Sequence, residues 1–174
     1  DVQLEPSTRL KGRKRPGTDP ADIEQALTML GAAERPALFI GHGVTLAEAA
    51  PELTELAERL NIPVISSPNG MGCIPMGHPL SLGFIGRNGT FPANQTGRNA
   101  DLVIAVGARF DDRSSSSWIP GYSWNFPATR LIHVDIDVDE IGRNYVPDLG
   151  ITSDAGSFLR SEERRVGKEC RSRW

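Results

Sequence analysis

Three short motifs hold the residues of this sequence best suited to chemistry, and each directly follows an apolar run. "GHG" (Gly41, His42, Gly43) ends "PALFI", "GAR" (Gly107, Ala108, Arg109) ends "LVIAV", and "DID" (Asp135, Ile136, Asp137) ends "RLIHV". Glycine lets a backbone turn tightly and approach phosphate oxygens, and an acid at a strand end accepts hydrogen bonds from ribose hydroxyls. The planar guanidinium of Arg109 offers paired donors to a pyrophosphate, with Asp111 or Asp112 available to hold its side chain. Together the three edges describe a dinucleotide cleft. Gly-x-Gly alone is a weak signal, and the six-residue fingerprint is absent because Leu46 stands where its third glycine would fall.

Other chemistries find little support. Asp135 and Asp137 flank Ile136, so on a strand they point to opposite faces and do not form an acid–base pair. His42, His78 and His133 are scattered, and with Cys73 and Cys170 they make no metal-ligand spacing; His133 alternates within an apolar run and reads as a packed or edge residue. No serine lies in a nucleophile elbow, and "SSSSW" (Ser114 to Trp118) reads as a flexible loop. A formal charge of -3 argues against a nucleic-acid partner. With 39% hydrophobic and 24% charged residues, no run of 18 apolar residues and no leader pattern, the expectation is a soluble, cytoplasmic protein without a membrane partner. Two cysteines fit a reducing compartment.

The elements that must position the motifs follow from the apolar pattern. "LVIAV" has no polar face, so it suits a strand covered on both sides. Before it, Thr18 or Asp19 can cap a helix with Pro20 in its first turn and Ile23, Leu27 and Leu30 on one face. "PALFI" is a strand, Leu53, Leu56, Ala57 and Leu60 mark a helix, and "IPVISS" is a second strand. The glycine-rich "SLGFIGRNGT" and a polar helix around "PANQTGRNA" lead into "LVIAV". "RLIHVDID" is the fourth strand, "DEIGRN" a short helix, and "LGITSDA" a fifth strand. Strand, helix, strand at this spacing predicts right-handed crossovers and an α/β fold. The architecture expected is a doubly wound, Rossmann-like parallel sheet with helices on both faces and ligands at the carboxyl ends of its strands.

"GHPLSLGFIGRNGT", "ADLVIAVGARFDDR", "IHVDIDVDEIGRN" and "SDA" closely resemble successive segments of the central domain of acetolactate synthase and its thiamine-diphosphate-dependent relatives. The resemblance runs from Asp1 to about Leu159. It implies FAD held in an extended pose across the strand ends. Gly41, His42 and Gly43 match the first glycine turn, Ser66 and Ser67 a polar pair at the next strand end, and Phe84, Ile85 and Gly86 the segment beside the flavin. Gly107, Ala108, Arg109, Asp111 and Arg113 match the "GARFDDR" contacts; Asp135 and Ile136, with Asp154 and Ala155, match the adenosine end. Arg87-Asn88 stands where that family usually carries Met-His, and "SSPNGMG" replaces a more usual threonine-rich turn.

The resemblance also implies what lies elsewhere. A glutamate-bearing domain before this one and a Gly-Asp-Gly domain after it would bind thiamine diphosphate and Mg²⁺. The parent, a homo-oligomer, would condense or decarboxylate 2-keto acids, and this chain would hold no catalytic residue. Residues 1–17, with "DVQ" and the basic, aperiodic "LEPSTRLKGRKRPG", read as the end of the preceding domain and a linker, and 18–159 as the central domain cut short at its carboxyl end. "RSEERRVGKECRSRW", residues 160–174, resembles the translation of a sequencing adapter and is expected to have no structural role. Two alternatives stay open: an ADP-binding or nucleotide-free central domain of another thiamine-diphosphate decarboxylase or hydrolase, and a stand-alone nucleotide-binding module such as an NAD-binding regulatory domain.

Overall fold

The computed structural model describes residues 15–161. The first helix, α1 (Pro20–Gly31), starts where Asp19 accepts the Ala21 N–H at 2.8 Å and proline occupies the first turn, and it buries Ile23 and Ala26. A cap of this kind contributes about 1 kcal/mol. Then follow β1 (Pro36–Ile40), α2 (His42–Leu46), α3 (Ala50–Leu60), β2 (Val64–Ser66), β3 (Ser81–Phe84), α4 (Phe91–Asn99), β4 (Leu102–Val106), β5 (Arg130–Asp135) and β6 (Leu149–Thr152). A last helix, α5, covers residues 155–161. Leu53, Leu56 and Ala57 form the buried face of α3, which ends at Asn61 in the left-handed region, a usual way to close a helix.

The strands lie in the order β3-β2-β1-β4-β5-β6, and every pairing is parallel, as in a doubly wound sheet. All six carboxyl ends therefore share one edge. At the opposite edge the Asp101 carboxylate accepts the N–H groups of Glu34 and Arg35 at 2.7 and 2.9 Å, fixing the entry of β1 beside β4. Burial opposes the charge on Asp101, but those N–H bonds and the Arg35 charge outweigh it and hold the carboxyl below its ordinary range.

Alternation along the strands builds two cores. On one face Leu38, Ile40, Ile104, Val106, Ile132 and Val134 meet α1, α2, α3 and α5. On the other, Phe39, Ile65, Val103, Ala105 and Leu131 meet α4 and a set of side chains from the segment between β4 and β5. Phe110 is the hub of that set. Its ring centroid lies 5.1 Å from Phe39, 5.3 Å from Tyr145, 5.4 Å from His133, 5.5 Å from Trp124 and 5.7 Å from Phe126. Aromatic side chains here do what a crossover helix does on the other face.

The structure corrects several expectations. The described residues form six strands, because part of the glycine-rich "SLGFIGRNGT" is the edge strand β3; Gly83 within it has φ +81°, and its pairing with β2 is irregular, so no clean alternation marks it. "DEIGRN" forms turns rather than a helix. α-Helices fill only the β1–β2 and β3–β4 connections. "SSSSW" is packed: Ser114, Ser115 and Ser116 are buried, and Trp118 donates its indole N–H to the Phe110 carbonyl at 3.0 Å. His133 is buried, as expected of a packed residue. Among the described residues no helix is long and apolar enough to cross a membrane.

Two expected outcomes follow from this packing. Phe110→Ala removes the hub of a close-packed cluster and should cost about 3–5 kcal/mol in urea unfolding at unchanged m value. A loss under about 1 kcal/mol would show that the cluster repacks without it. The second concerns His133, whose imidazole burial pushes below its ordinary 6.5, against the Ala108 carbonyl bond and the charges of Asp135 and Glu140. Below that pH the unfolded chain takes up a proton that the folded one resists. The stability contributed above about pH 6.5 is thus lost as pH falls toward the depressed folded value. The urea midpoint should drop between about pH 7.5 and about pH 5.5, and His133→Gln should flatten that drop. Equal slopes for the two proteins would assign the drop to other groups.

Candidate functional site

β1 and β4 are neighbours at the centre of the sheet, and the chain leaves them toward opposite sides, which makes the crevice between their carboxyl ends the switch point of the fold. The turns after them touch, backbone on backbone. Gly41 donates to the Val106 carbonyl at 3.1 Å, Gly43 to the Gly107 carbonyl at 3.0 Å, and Gly107 to the Val134 carbonyl at 2.8 Å. Gly107 has φ +55°, and a methyl group there would fall 2.6 Å from the Gly43 Cα. The protein's own backbone therefore demands these glycines, before any phosphate is considered. His42, the first residue of α2, is exposed.

Beyond Gly107 the chain alternates. Ala108 is buried and its carbonyl meets His133 Nε2 at 3.0 Å, Arg109 is exposed, Phe110 is buried, and Asp111 is exposed. The partner of Arg109 is not Asp111 or Asp112, as the sequence led us to expect, but Glu140. Arg109 Nε lies 3.5 Å from Glu140 Oε1, and Arg143 Nη1 lies 2.7 Å from the same atom. Asp111 instead accepts the N–H and hydroxyl of Ser114 at 2.8 and 2.9 Å, and Asp112 pairs with Arg87 and Ser117. A carboxylate three residues from a turning chain is kept by that turn; Glu140, on a neighbouring connection, is free to reach across.

The remaining strand ends complete the edge. Ser66 and Ser67 are buried after β2, and the Ser67 hydroxyl accepts the Gly70 N–H at 3.1 Å. After β3, Phe84 is half-buried, Ile85 and Gly86 are buried, and Gly86 at φ +116° lies against the carbonyl of Arg113, itself exposed. The Asn94 amide grips Gly86 on both sides, accepting its N–H at 3.1 Å and donating to its carbonyl at 2.9 Å. After β5, the buried Asp135 accepts the Asp137 N–H at 2.9 Å while Ile136 is exposed. After β6, Asp154 is buried and Ala155 opens α5. The candidate binding residues from Gly41 to Ala155 thus sit at, or on the segments that leave, the carboxyl ends of the strands.

Asp154 is the most heavily committed of them. Its Oδ2 accepts the Ser157 N–H at 3.1 Å, capping α5, its Oδ1 meets Arg15 Nη1 at 3.3 Å, and Arg160 Nη2 lies 4.0 Å away. Arg15, which the sequence placed in a solvated linker, is docked. Arg160 and Ser161, the first residues of the expected tail, belong to α5, and Arg160 pairs with Glu52 at 2.9 Å. Residues 1–14 and 162–174, which hold the rest of the linker and tail, lie outside the described residues.

The donor set at this edge fits a dinucleotide: an exposed guanidinium fixed by a buried acid suits a diphosphate, and strand-end carboxylates suit hydroxyls. An open concavity of about 680 Å³ between α3 and residues 72–75 contains none of these residues. Glu140 and Asn94 are the positioning side chains that sequence reasoning missed. Asn94 was within reach of it, being a polar residue one turn into a helix that opens just after the Gly86 segment. Glu140 was hidden by reading its turn as a helix.

The "Probable acetolactate synthase large subunit" of Methanococcus aeolicus is 41% identical over 141 residues, 81% of this chain and 23% of that protein. The "Acetolactate synthase isozyme 3 large subunit" of Escherichia coli is 39% identical over 147 residues, 84% of this chain and 25% of that protein. The "Sulfoacetaldehyde acetyltransferase" of Rhodobacter capsulatus is 37% identical over 158 residues, 90% of this chain and 26% of that protein. The chain spans about a quarter of the length of these curated relatives. Residues 23–161 match the family described as thiamine pyrophosphate enzyme, central domain, and to that family the chain belongs.

Proposed function

We propose that this central domain binds FAD in an extended pose across its strand ends and serves, within an acetolactate-synthase-like carboligase, as a cofactor-holding scaffold. The observation that carries the reading is the position of Arg109: an exposed guanidinium at the switch point, steered by the buried Glu140, with Asp135 one strand further along the same edge. Arg109 would meet the diphosphate and Asp135 the adenosine ribose hydroxyls. Gly41 to Gly43, Ser66, Ser67 and the segment from Phe84 to Gly86 would carry the rest of the ligand toward β3. The flavin has a structural role in this reading, since the reaction proposed is not a redox step.

In the parent, thiamine diphosphate with Mg²⁺ would supply the carbanion chemistry that condenses or decarboxylates 2-keto acids, through domains outside this chain. The parent is read as a cytoplasmic homo-oligomer. Relatives named for two different reactions match at similar identity, which supports a scaffold role that leaves the substrate to be chosen elsewhere.

The test is flavin retention on gel filtration of the parent enzyme, followed by FAD titration of the apo form. Arg109→Ala and Asp135→Ala should each weaken FAD binding by about 1.5–3 kcal/mol, the value of a lost hydrogen bond to a charged group. Glu140→Gln, which keeps the shape but releases Arg109, should cost about 1 kcal/mol. Arg59→Ala, in the last turn of α3 and paired with Glu55, should change nothing. A wild-type enzyme without flavin that binds ADP as tightly as FAD would replace the flavin reading with the ADP-binding one.

A further inference from the structure

We infer that Arg15 is a ligand-positioning residue of this edge, contributed by the segment that leads into α1, and that its guanidinium latches the turn after β6 to the turn after β1. Resting on the nucleotide reading above, the inference concerns two contacts made by one side chain. Arg15 Nη1 meets Asp154 Oδ1 at 3.3 Å, and Arg15 Nη2 donates to the Leu46 carbonyl at 3.1 Å. Leu46 closes α2, the short helix that opens with His42 and Gly43; Asp154 precedes Ala155 at the end of β6. The guanidinium therefore ties the candidate residue Asp154 to the far end of the short helix that the first glycine turn opens, across a sheet that separates β1 from β6 by β4 and β5.

The same segment is stitched down beside the latch. The Pro16 carbonyl accepts the Asp154 N–H at 3.0 Å, and the hydroxyls of Thr18 and Ser153 are 2.7 Å apart. Asp154 is a buried carboxylate, and such a group holds its place only while partners compensate its lost hydration. Without Arg15 it keeps the Ser157 N–H and an Arg160 nitrogen 4.0 Å away, and its link to α2 is gone. The fork of a guanidinium can serve both acceptors at once. A lysine ammonium is a compact point charge without the two separated donor nitrogens of the fork, so it can restore the charge beside Asp154 but does not reproduce the same bridge.

The experiment uses the full chain and its Arg15→Ala, Arg15→Lys and Arg59→Ala variants, with FAD and ADP as separate probes. Hydrogen exchange is followed in the unliganded chain over residues 150–158, and binding by titration. The expected result is faster exchange at Asp154 and Ser157 in Arg15→Ala, with roughly five- to tenfold weaker nucleotide binding, an intermediate Arg15→Lys, and Arg59→Ala like wild type. Wild-type affinity in Arg15→Ala, or unchanged exchange, overturns the inference. Should Arg15→Ala lose its fold, Arg15→Lys decides, and wild-type affinity there overturns it. A wild type that binds ADP but not FAD ends the flavin reading and leaves Arg15 to be judged on ADP. Binding of neither ends both.

Discussion

The contact on which the rest of this edge depends is the backbone-on-backbone approach of the turns after β1 and β4. Gly43 and Gly107 lie too close for either to carry a side chain, and the bonds from Gly43 to Gly107 and from Gly107 to Val134 fix three adjacent strand ends in one step. The fixed point sets the phase of the chain that follows. Ala108 turns in, Arg109 out, Phe110 in and Asp111 out, so the residue with an anion-binding group faces solvent because its two neighbours are buried. A side chain at Gly107 would disturb the position of Arg109 without touching it.

Phe110 then carries the constraint from the sheet edge to the second face. That face has one helix, α4, and the sheet beside it would be left open had the β4–β5 segment not packed its aromatic side chains there. The arrangement explains how an irregular segment can hold its exposed residues, Arg109 among them, in fixed positions. Two of its backbone carbonyls are bonded by side chains: that of Phe110 accepts the Trp118 indole and, from the next connection, the Asn144 amide, and that of Ser114 accepts the Trp124 indole. Both indole N–H groups of the segment are thus spent on its own carbonyls.

What could be read from the sequence was what local pattern determines. β1 and β4 are unbroken apolar runs, β5 is one interrupted by His133, and Asp19-Pro20 announces α1, so the sheet, its two faces and the strand ends that carry the candidate residues were legible. β3 was not, because Gly83 breaks a strand of four residues at the sheet margin. Pairings between distant residues were not legible either. Arg109 was matched to the acids nearest in sequence, whereas those acids serve their own turn and Glu140 arrives from the next connection. Arg15 looked like one more basic residue in a basic stretch, and only the fold brings Asp154 and the Leu46 carbonyl to it.

These long-range pairs share an asymmetry that resolves an apparent conflict. The chain is acidic overall, at -3, yet the proposed ligand is an anion. In the pairs that Glu140 and Asp154 make, the acid is the buried member: the Glu140 side chain is 9% exposed against 65% for Arg109 and 62% for Arg143, and that of Asp154 is 5% exposed against 50% for Arg15. A buried carboxylate gains from a cation that compensates its lost hydration, whereas a guanidinium can satisfy one carboxylate and keep most of its donors in water. The acids orient, and the solvent-facing side of each pair is positive. In the proposed reading a diphosphate would meet guanidiniums already paired with buried acids, and part of their ordering cost would be met in folding rather than in binding.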